Sequence, residues 1–265
     1  MARRVAVFGA GGRMGSTVCR AVMDDPDLDL VAVVDPHHAG LDLRQVTGLD
    51  TDLVVDADAD GTLDAGAEVA VDFTLVEAAR QNLAWCAENG VHAVVGTSGF
   101  GEDDVARARE QFTRSNCVIA PNFAIGAVLM MHFAELAAPY FDTADIVETH
   151  HDAKVDAPSG TAMATAERMA AASSTWAADP TTSTVLDSAR GAELGGVRVH
   201  SLRVRGMVAH QEVVLGTTGQ TLTIRHDSYD RASFMPGVVL AVKAVEDHPG
   251  VTLGLRSLLG LVPGG

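Results

Sequence analysis

The residues best suited to chemistry are two histidines and a lysine, His150, His151 and Lys154, which lie close together in an acidic chain. The 265-residue sequence carries a formal net charge of -16, so this basic cluster is a local exception. Histidine exchanges protons near neutral pH, and lysine supplies a compact positive charge. The cluster therefore predicts a site that attracts an anion and exchanges protons with it.

The basic cluster is followed by Ser159-Gly160-Thr161, which opens a predicted Ala-rich helix over 161–172. The first N–H groups of a helix have no partner within it, so those of Gly160 and Thr161 can bind an anion. Lys154 adds a full charge nearby. We therefore predict a receptor for one or two carboxylates, with a histidine as proton donor.

Three other interpretations of this segment remain open from the residues alone. Ser159 is a favoured N-cap residue and would cap a helix with or without a ligand. His150 and His151 are possible zinc ligands, although no partner residue follows at the usual ligand spacing. The histidines are also compatible with a solvated loop. We predict no metal site.

A second motif is the glycine-rich turn Gly9-Ala10-Gly11-Gly12-Arg13-Met14-Gly15, between a predicted strand over 5–8 and a predicted helix over 13–24. The spacing is GxxGxxG, because Met14 stands where GxGxxG needs a glycine. Glycines let backbone N–H groups approach a pyrophosphate, and the helix N-terminus and Arg13 add positive charge. The turn predicts a dinucleotide site.

Asp35 ends the second predicted strand, over 28–34, about twenty residues after the turn, where an acid can bind the adenosine ribose. An acid here favours NADH, since it repels the 2′-phosphate of NADPH, but NADPH stays possible. Asp35 is also compatible with a simple strand-end cap. His37 and His38 follow it, either as solvated loop residues or as side chains that soften the discrimination.

Strands and helices alternate through the first half of the chain. The patterns predict strands over 69–73, 91–95 and 117–120, a short strand near 53–55, and helices over 76–89 and 102–114. Alternation of this kind is typical of an α/β fold with a Rossmann-like, doubly wound parallel sheet. Ligands bind beyond the carboxyl ends of such strands, so we expect Gly96-Thr97-Ser98 and Ala120-Pro121-Asn122-Phe123 to line the same crevice.

The pattern changes after Asn122 and indicates a second, α+β domain. We predict helices over 125–141 and 161–172, a strand over 144–149, a polar loop over 173–196, strands over 197–204, 207–215 and 221–226, and a last helix over 234–245. Alternating segments separated by Gly turns favour a mostly antiparallel or mixed sheet.

Composition excludes several classes of partner. The chain is 47% hydrophobic and 20% charged, as expected of a globular protein. Its net negative charge disfavours nucleic acid and anionic membranes, and no run of 18 apolar residues is present. The three cysteines, Cys19, Cys86 and Cys117, are far apart and predict buried free thiols. We therefore expect a cytoplasmic protein.

Five motifs, in order, resemble those of the 4-hydroxy-tetrahydrodipicolinate reductase (dihydrodipicolinate reductase) family of bacterial lysine and diaminopimelate synthesis. They are GAGGRMG at 9–15, VDFT at 71–74, GTSGF at 96–100, APNFAIG at 120–126 and ETHHDAKVDAPSGTA at 148–162. The resemblance covers essentially the whole chain, and the last motif is highly specific.

The resemblance implies roles for individual residues. His150 and Lys154 are the catalytic residues that it implies. Substrate contacts are implied for His151, Lys154, Ser159, Gly160 and Thr161. Cofactor contacts, to NADH or NADPH, are implied for Gly9, Gly11, Gly12, Arg13, Met14, Asp35, Phe73, Gly96, Thr97, Ser98, Ala120, Pro121, Asn122 and Phe123. Ser98 replaces a threonine common in the family, and Asp35 lacks the basic residue that follows it in NADPH-binding members.

The resemblance also implies an architecture. Residues 1–122, with 232–265 returning, form the dinucleotide-binding domain. Residues 123–231 form the substrate-binding and oligomerisation domain of a homotetramer. The substrate would be a small cyclic dicarboxylate. Two other functions compete with this one: an NAD-dependent amino-acid dehydrogenase of similar build, which has no need of the His-Lys-Ser-Gly-Thr receptor, and a non-catalytic NAD(H)-sensing module.

Overall fold

The predicted alternation of strands and helices is present in the computed structural model, which describes residues 1–261. In the first half of the chain the elements, numbered in chain order, are β1 (Arg3–Phe8), α1 (Arg13–Asp24), β2 (Leu28–Val34), α2 (Leu43–Thr47), α3 (Asp60–Asp64), β3 (Val69–Asp72), α4 (Val76–Asn89), β4 (His92–Val95), α5 (Glu102–Gln111) and β5 (Cys117–Ile119).

The second half of the chain has longer strands. Its elements are α6 (Ile125–Ala137), β6 (Thr143–His150), α7 (Gly160–Ala172), β7 (Ala192–Leu194), β8 (Val197–Arg203), β9 (Ala209–Thr217), β10 (Gln220–Ser228), α8 (Met235–Ala244) and β11 (Val251–Leu253). Short 3-10 turns occupy Ala138–Tyr140, Arg231–Phe234 and Val245–Asp247.

The chain divides into two units, and the first of them is discontinuous. Unit 1 consists of Met1–Phe123 and Phe234–Gly265, and unit 2 of Ala124–Ser233. The last strand, β11, completes the sheet of unit 1 by pairing with β5. Residues 262–265, the end of the segment that we expected to return to the first domain, lie outside the described residues.

Unit 1 is built on a six-stranded sheet with the order β11-β5-β4-β3-β1-β2, in which every pairing is parallel. From β1 the chain passes to β2 on one side and then to β3 on the other. A topological switch point therefore lies between β1 and β3, where such sheets leave a crevice at the carboxyl ends. The expected Rossmann-like fold class is confirmed.

Unit 2 holds a five-stranded mixed sheet with the order β10-β9-β6-β8-β7. Strand β6 runs parallel to β8 and antiparallel to β9, and the two outer pairings are antiparallel. The expectation of a mostly antiparallel sheet is therefore confirmed. Helices α6 and α7 belong to the same unit, and α7 follows the central strand β6 after a loop over 151–159.

The predicted short strand near Leu53–Val55 is wrong. This segment makes only isolated bridges, Val54 with Asp42 and Asp56 with Val34. Val55 is buried, but the residues beside it are not, and charged Asp52 and Asp56 flank the run. The segment therefore forms no ladder and only meets the end of β2 through one parallel bridge.

Several boundaries also differ from the predictions. Helix α5 ends at Gln111 rather than 114, and α6 ends at Ala137, where Pro139 enters a 3-10 turn. The polar loop predicted over 173–196 contains the short strand β7, which pairs with β8. Strand β11 was not predicted, because three residues carry too little periodicity to reveal a strand.

The sheet of unit 1 supplies its hydrophobic core. Residues 5–8 of β1, all of β3 and residues 93–95 of β4 are almost completely buried. Cys19, Cys86 and Cys117 are buried and free, as predicted. Burial raises the pKa of the Cys19 thiol to about 12, so it stays protonated. Within residues 1–261, no helix is both long enough and apolar enough to cross a membrane.

Gly237 tests the packing of the returning helix α8. A Cβ added at this position would lie 2.0 Å from the backbone oxygen of Phe123, so α8 would have to move. We expect Gly237→Ala to lower the free energy of unfolding by about 2 kcal/mol, as overpacking does. Urea denaturation followed by circular dichroism measures this change.

Gly61→Ala in α3 is the control, because its nearest neighbour would be the movable carboxylate of Asp56. The higher helix propensity of alanine should keep this variant within about 1 kcal/mol of the parent. Equal stability of Gly237→Ala and the parent protein would contradict the packing described for α8.

Candidate active site

The predicted cofactor residues of unit 1 form a row at the carboxyl edge of its sheet. Phe8 is paired with Val34 on one side and with Asp72 on the other. Asp72 is paired in turn with Val95, and Val95 with Ile119. The residues that follow these five therefore emerge side by side, and they are Gly9, Asp35, Phe73, Gly96 and Ala120.

The glycine turn is closed so tightly that side chains are excluded from it. Gly9 has a φ of +75°, a conformation that favours glycine, and the N–H of Gly12 donates to its carbonyl at 3.0 Å. A Cβ on Gly15 would lie only 2.0 Å from that carbonyl oxygen. Helix α1 can therefore begin directly against β1, as a pyrophosphate-binding turn requires.

The start of α1 suits an anion. Its N-cap residue is Gly12, which offers no side-chain acceptor to the first N–H groups, and the first turn contains no acidic residue. Arg13 is the first helical residue and is exposed. Partial and full positive charge therefore coincide at this terminus, and the residues fit a dinucleotide pyrophosphate.

Asp35 is tied to the glycine turn. Its carboxylate accepts hydrogen bonds from the N–H of Gly11 and the N–H of His37, both at 3.0 Å. His38 Nδ1 lies 3.3 Å from the same carboxylate, and the side chain of His38 is 37% exposed. His37 is a solvated loop residue, as predicted, whereas the ring of His38 lies against Asp35. Asp35 therefore caps a strand end and also supports the cofactor turn.

Asp72, which the sequence analysis did not single out, fixes two loops of the crevice. This buried carboxylate accepts from the N–H and hydroxyl of Thr74 at 2.8 and 2.7 Å, from Asn82 at 2.7 Å and from the hydroxyl of Thr97 at 3.2 Å. The signal for it was an acid inside the apolar run VAVDFT. Thr74 and Thr97 follow different strands, so Asp72 holds both loops together.

Phe73 requires a glycine beside it. A Cβ on Gly96 would lie 2.1 Å from the Phe73 ring, and the rings of Phe73 and Phe123 are 5.7 Å apart. Thr97, Ala120 and Phe123 are buried, whereas Ser98 and Pro121 are exposed. Aromatic side chains and hydroxyl groups thus both line this edge of the sheet.

The basic cluster of unit 2 begins at the end of β6. His150 is the last residue of that strand, and its Nδ1 lies 2.5 Å from a carboxylate oxygen of Glu148. Burial lowers the pKa of His150, and the bond to Glu148 opposes that shift. The imidazole is 18% exposed, so it is held in place and still reaches solvent.

Glu148 is fully buried and binds three segments at once. Besides its contact with His150, it accepts hydrogen bonds from both terminal nitrogens of Arg203, at 3.1 and 2.9 Å, and from the N–H of Ser159, at 3.2 Å. The guanidinium of Arg203 also donates to the carbonyl of Asp156 at 2.6 Å. Glu148 opens the motif over 148–162 but was given no role from the sequence, and Arg203 lies in no motif. The two residues meet through the pairing of β6 with β8, which sets Arg203 beside His150.

Lys154 is paired within the protein. Its ammonium donates to both carboxylate oxygens of Asp156 at 2.7 Å, and this contact lowers the pKa of Asp156. The side chain of Lys154 is 21% exposed and that of Asp156 is 59% exposed. Lys154 is thus held by an exposed carboxylate and keeps one further N–H donor, since an ammonium group has three.

Helix α7 begins as predicted. The hydroxyl of Ser159 accepts the N–H of Ala162 at 3.2 Å, so the N-cap interpretation is confirmed. Gly160 is exposed and Thr161 half-buried at the first turn, while His151 is exposed in the loop before it. Among residues 1–261, no three histidine, cysteine or acidic side chains gather in a way that could hold a metal ion.

A Rossmann-like unit with a glycine-rich turn at the carboxyl edge of its sheet is joined in one chain to a unit that holds His150, Lys154 and the start of α7, and this combination is typical of pyridine-nucleotide-dependent oxidoreductases. Family models described as dihydrodipicolinate reductase, N-terminus, and dihydrodipicolinate reductase, C-terminus, match residues 3–123 and 126–259. The chain belongs to the dihydrodipicolinate reductase family.

Relatives with similar sequences match this chain over nearly its whole length. The 4-hydroxy-tetrahydrodipicolinate reductases of Cutibacterium acnes and Thermobifida fusca are 48% and 51% identical, each over 97% of this chain and 99% of the relative. A dipicolinate-bound dihydrodipicolinate reductase from Paenisporosarcina sp. TG-14 is 37% identical, with a TM-score of 0.84 over 97% of this chain and 99% of that one. An amine dehydrogenase from Mycobacterium smegmatis, at 17% identity and a TM-score of 0.64 over 94% of each chain, shares the fold.

Proposed function

We propose that this protein catalyses the NAD(P)H-dependent reduction of 4-hydroxy-tetrahydrodipicolinate to tetrahydrodipicolinate, a step of lysine and diaminopimelate biosynthesis. The observation that carries the proposal is the convergence on Glu148, which binds both the imidazole of His150 and the N–H of Ser159. A proton-exchanging group and an anion-binding helix start therefore lie side by side, as the reduction of a cyclic dicarboxylate needs.

The overall reaction consumes one proton. A base takes a proton from the ring while the hydroxyl group accepts one and leaves as water. Hydride then adds to the conjugated imine, and the ring accepts a further proton. When bound, NADH or NADPH supplies the hydride from C4 of its nicotinamide ring. His150 and Lys154 are the residues that hold and move these protons.

Substrate binding falls to the groups around the start of α7. Lys154, His151 and the N–H groups of Gly160 and Thr161 take the two carboxylates, with Ser159 fixing the turn. Positive groups placed there also stabilise the negative charge that develops as hydride arrives. The low exposure of His150 and Lys154 strengthens these interactions, since nearby water is limited.

Cofactor binding falls to the carboxyl edge of unit 1. The pyrophosphate binds at Gly9, Gly11, Gly12, Arg13 and Met14, and the nicotinamide end binds near Phe73, Gly96, Thr97, Ser98, Ala120, Pro121, Asn122 and Phe123. Asp35 takes the adenosine ribose and makes NADH the preferred cofactor, because its buried carboxylate repels a 2′-phosphate.

The protein acts in the cytoplasm and as a homotetramer. Three buried free thiols suit a reducing compartment. Leu202, Val204, Met207, Val208 and Leu222 lie on or between the strands of unit 2 with more than a third of their surface exposed. These apolar side chains suit a face that other copies of the chain cover.

A coupled assay tests the activity directly. The preceding synthase generates the substrate in the cuvette, and we expect loss of absorbance at the NADH band when this protein is added. An amino-acid dehydrogenase would instead reduce NAD+ in the presence of an amino acid, and a sensor would do neither. Either of those results would refute the proposed reaction.

His150→Gln and Lys154→Ala should each reduce turnover by about 100-fold or more, because each removes a proton-exchanging group. Fluorescence titration should show unchanged NADH binding, since both residues belong to unit 2. His200→Gln is the matched control: it removes a histidine that is also bound to a carboxylate of β6, Asp145, at 2.7 Å. Turnover like that of the parent in His150→Gln and Lys154→Ala would rule out their catalytic roles.

A further inference from the structure

We infer that Glu148 is a positioning residue that sets which nitrogen of His150 carries the proton and fixes the segments that present Lys154 and the start of α7. The inference deepens the proposed function, and it depends on that function for the catalytic role of His150. The tautomer of His150 and the anchoring of the loop are argued from the contacts of the carboxylate alone.

The contacts of Glu148 follow from the sheet. Residues two apart on a strand point to the same face, so Glu148 and His150 share one face of β6. Arg203 is paired with His150 across β6 and β8, and the two residues therefore stand side by side. A third segment, at Ser159, closes over the carboxylate from the loop before α7. Strand pairing and the loop before α7 thus bring three groups to one buried carboxylate.

The carboxylate of Glu148 stays ionised in spite of its burial. Burial opposes ionisation, but hydrogen bonds from Arg203, Ser201 and His150 outweigh it and hold the pKa of Glu148 below its ordinary value. The two-fold contact with Arg203 balances the negative charge. An ionised carboxylate can only accept hydrogen bonds.

It follows that Nδ1 of His150 is the donor in the contact with Glu148. In the neutral imidazole the proton then sits on Nδ1, and Nε2 is left as the nitrogen that takes or gives a proton. A carboxylate that orients a histidine in this way also stabilises its charged form. Removing the carboxylate should therefore free the imidazole to change tautomer and make it harder to protonate.

Arg203 extends the same network to the substrate loop. While bound to Glu148, it donates to the carbonyl of Asp156, whose side chain is the partner of Lys154. Glu148 also holds the backbone of Ser159, the N-cap of α7. The loop that carries Lys154 is thus anchored at Asp156, through Arg203, and at Ser159, directly. Both anchors depend on the carboxylate of Glu148.

Glu148→Gln tests this role, because it removes the charge while nearly preserving the shape. Selectively 15N-histidine-labelled protein, observed by NMR without substrate, reports the tautomer and titration of each histidine, and His150→Gln assigns the His150 signal. In the parent protein we expect neutral His150 to carry its proton on Nδ1. In Glu148→Gln we expect a mixture of tautomers, a titration midpoint shifted to lower pH, and a 10- to 100-fold loss of turnover.

Asp145→Asn is the matched control. Asp145 lies on the same strand and binds His200, but it is three positions from Glu148, an odd number, so it faces the other side of the sheet. This variant should leave the His150 signals and the turnover unchanged.

Two results would overturn the inference. One is a folded Glu148→Gln protein, with parent-like circular dichroism, whose His150 keeps its tautomer and titration midpoint. The other needs no variant: a parent protein in which neutral His150 carries its proton on Nε2. If instead His150 responds to Glu148→Gln while the parent protein fails the coupled assay, only the proposed reaction fails, and the positioning role stands.

Discussion

A carboxylate buried at or near the end of a strand organises each of the two candidate sites. Asp72 does so in unit 1 and Glu148 in unit 2. A buried charge is costly unless hydrogen-bond donors surround it, so each carboxylate gathers donors from its own strand end and from other segments of the chain. The groups gathered are Thr74, Asn82 and Thr97 in unit 1, and His150, Ser159 and Arg203 in unit 2. The loops that present functional groups are fixed as a consequence.

The positively charged side chains of the candidate site in unit 2 are each paired with a carboxylate. Lys154 is paired with Asp156, and Arg203 with Glu148. The two pairs differ in exposure, because Asp156 is 59% exposed and Glu148 is fully buried. The Lys154 pair can therefore open to solvent more easily than the Arg203 pair.

In unit 1 the register of the strands places the candidate site residues side by side. Five neighbouring parallel strands end in step, and the next residue of each enters the crevice. Close packing then excludes side chains at Gly15 and Gly96, where a Cβ would meet backbone or the Phe73 ring. Glycine is needed at these positions for space between neighbours as much as for turn geometry.

Local patterns in the sequence determined most of the fold. Helix α1, strand β2 and helix α4 begin and end where hydrophobic periodicity predicts, and Ser159 caps α7 as its residue type predicts. The glycine turn and the His-His-Lys segment are also local, so both candidate sites could be proposed from the sequence alone. Periodicity failed where the run was short, as at Leu53–Val55 and β11.

Only the tertiary structure decided which groups meet. The pairing of β6 with β8 brings Arg203 to Glu148 across 55 residues of chain, and no local pattern encodes that contact. The same holds for Asp72 with Thr97, for His38 against Asp35 and for the return of α8 to the first unit. Residue types set what chemistry is available, but burial and long-range pairing set each charge's partner, and the partner decides how that charge behaves.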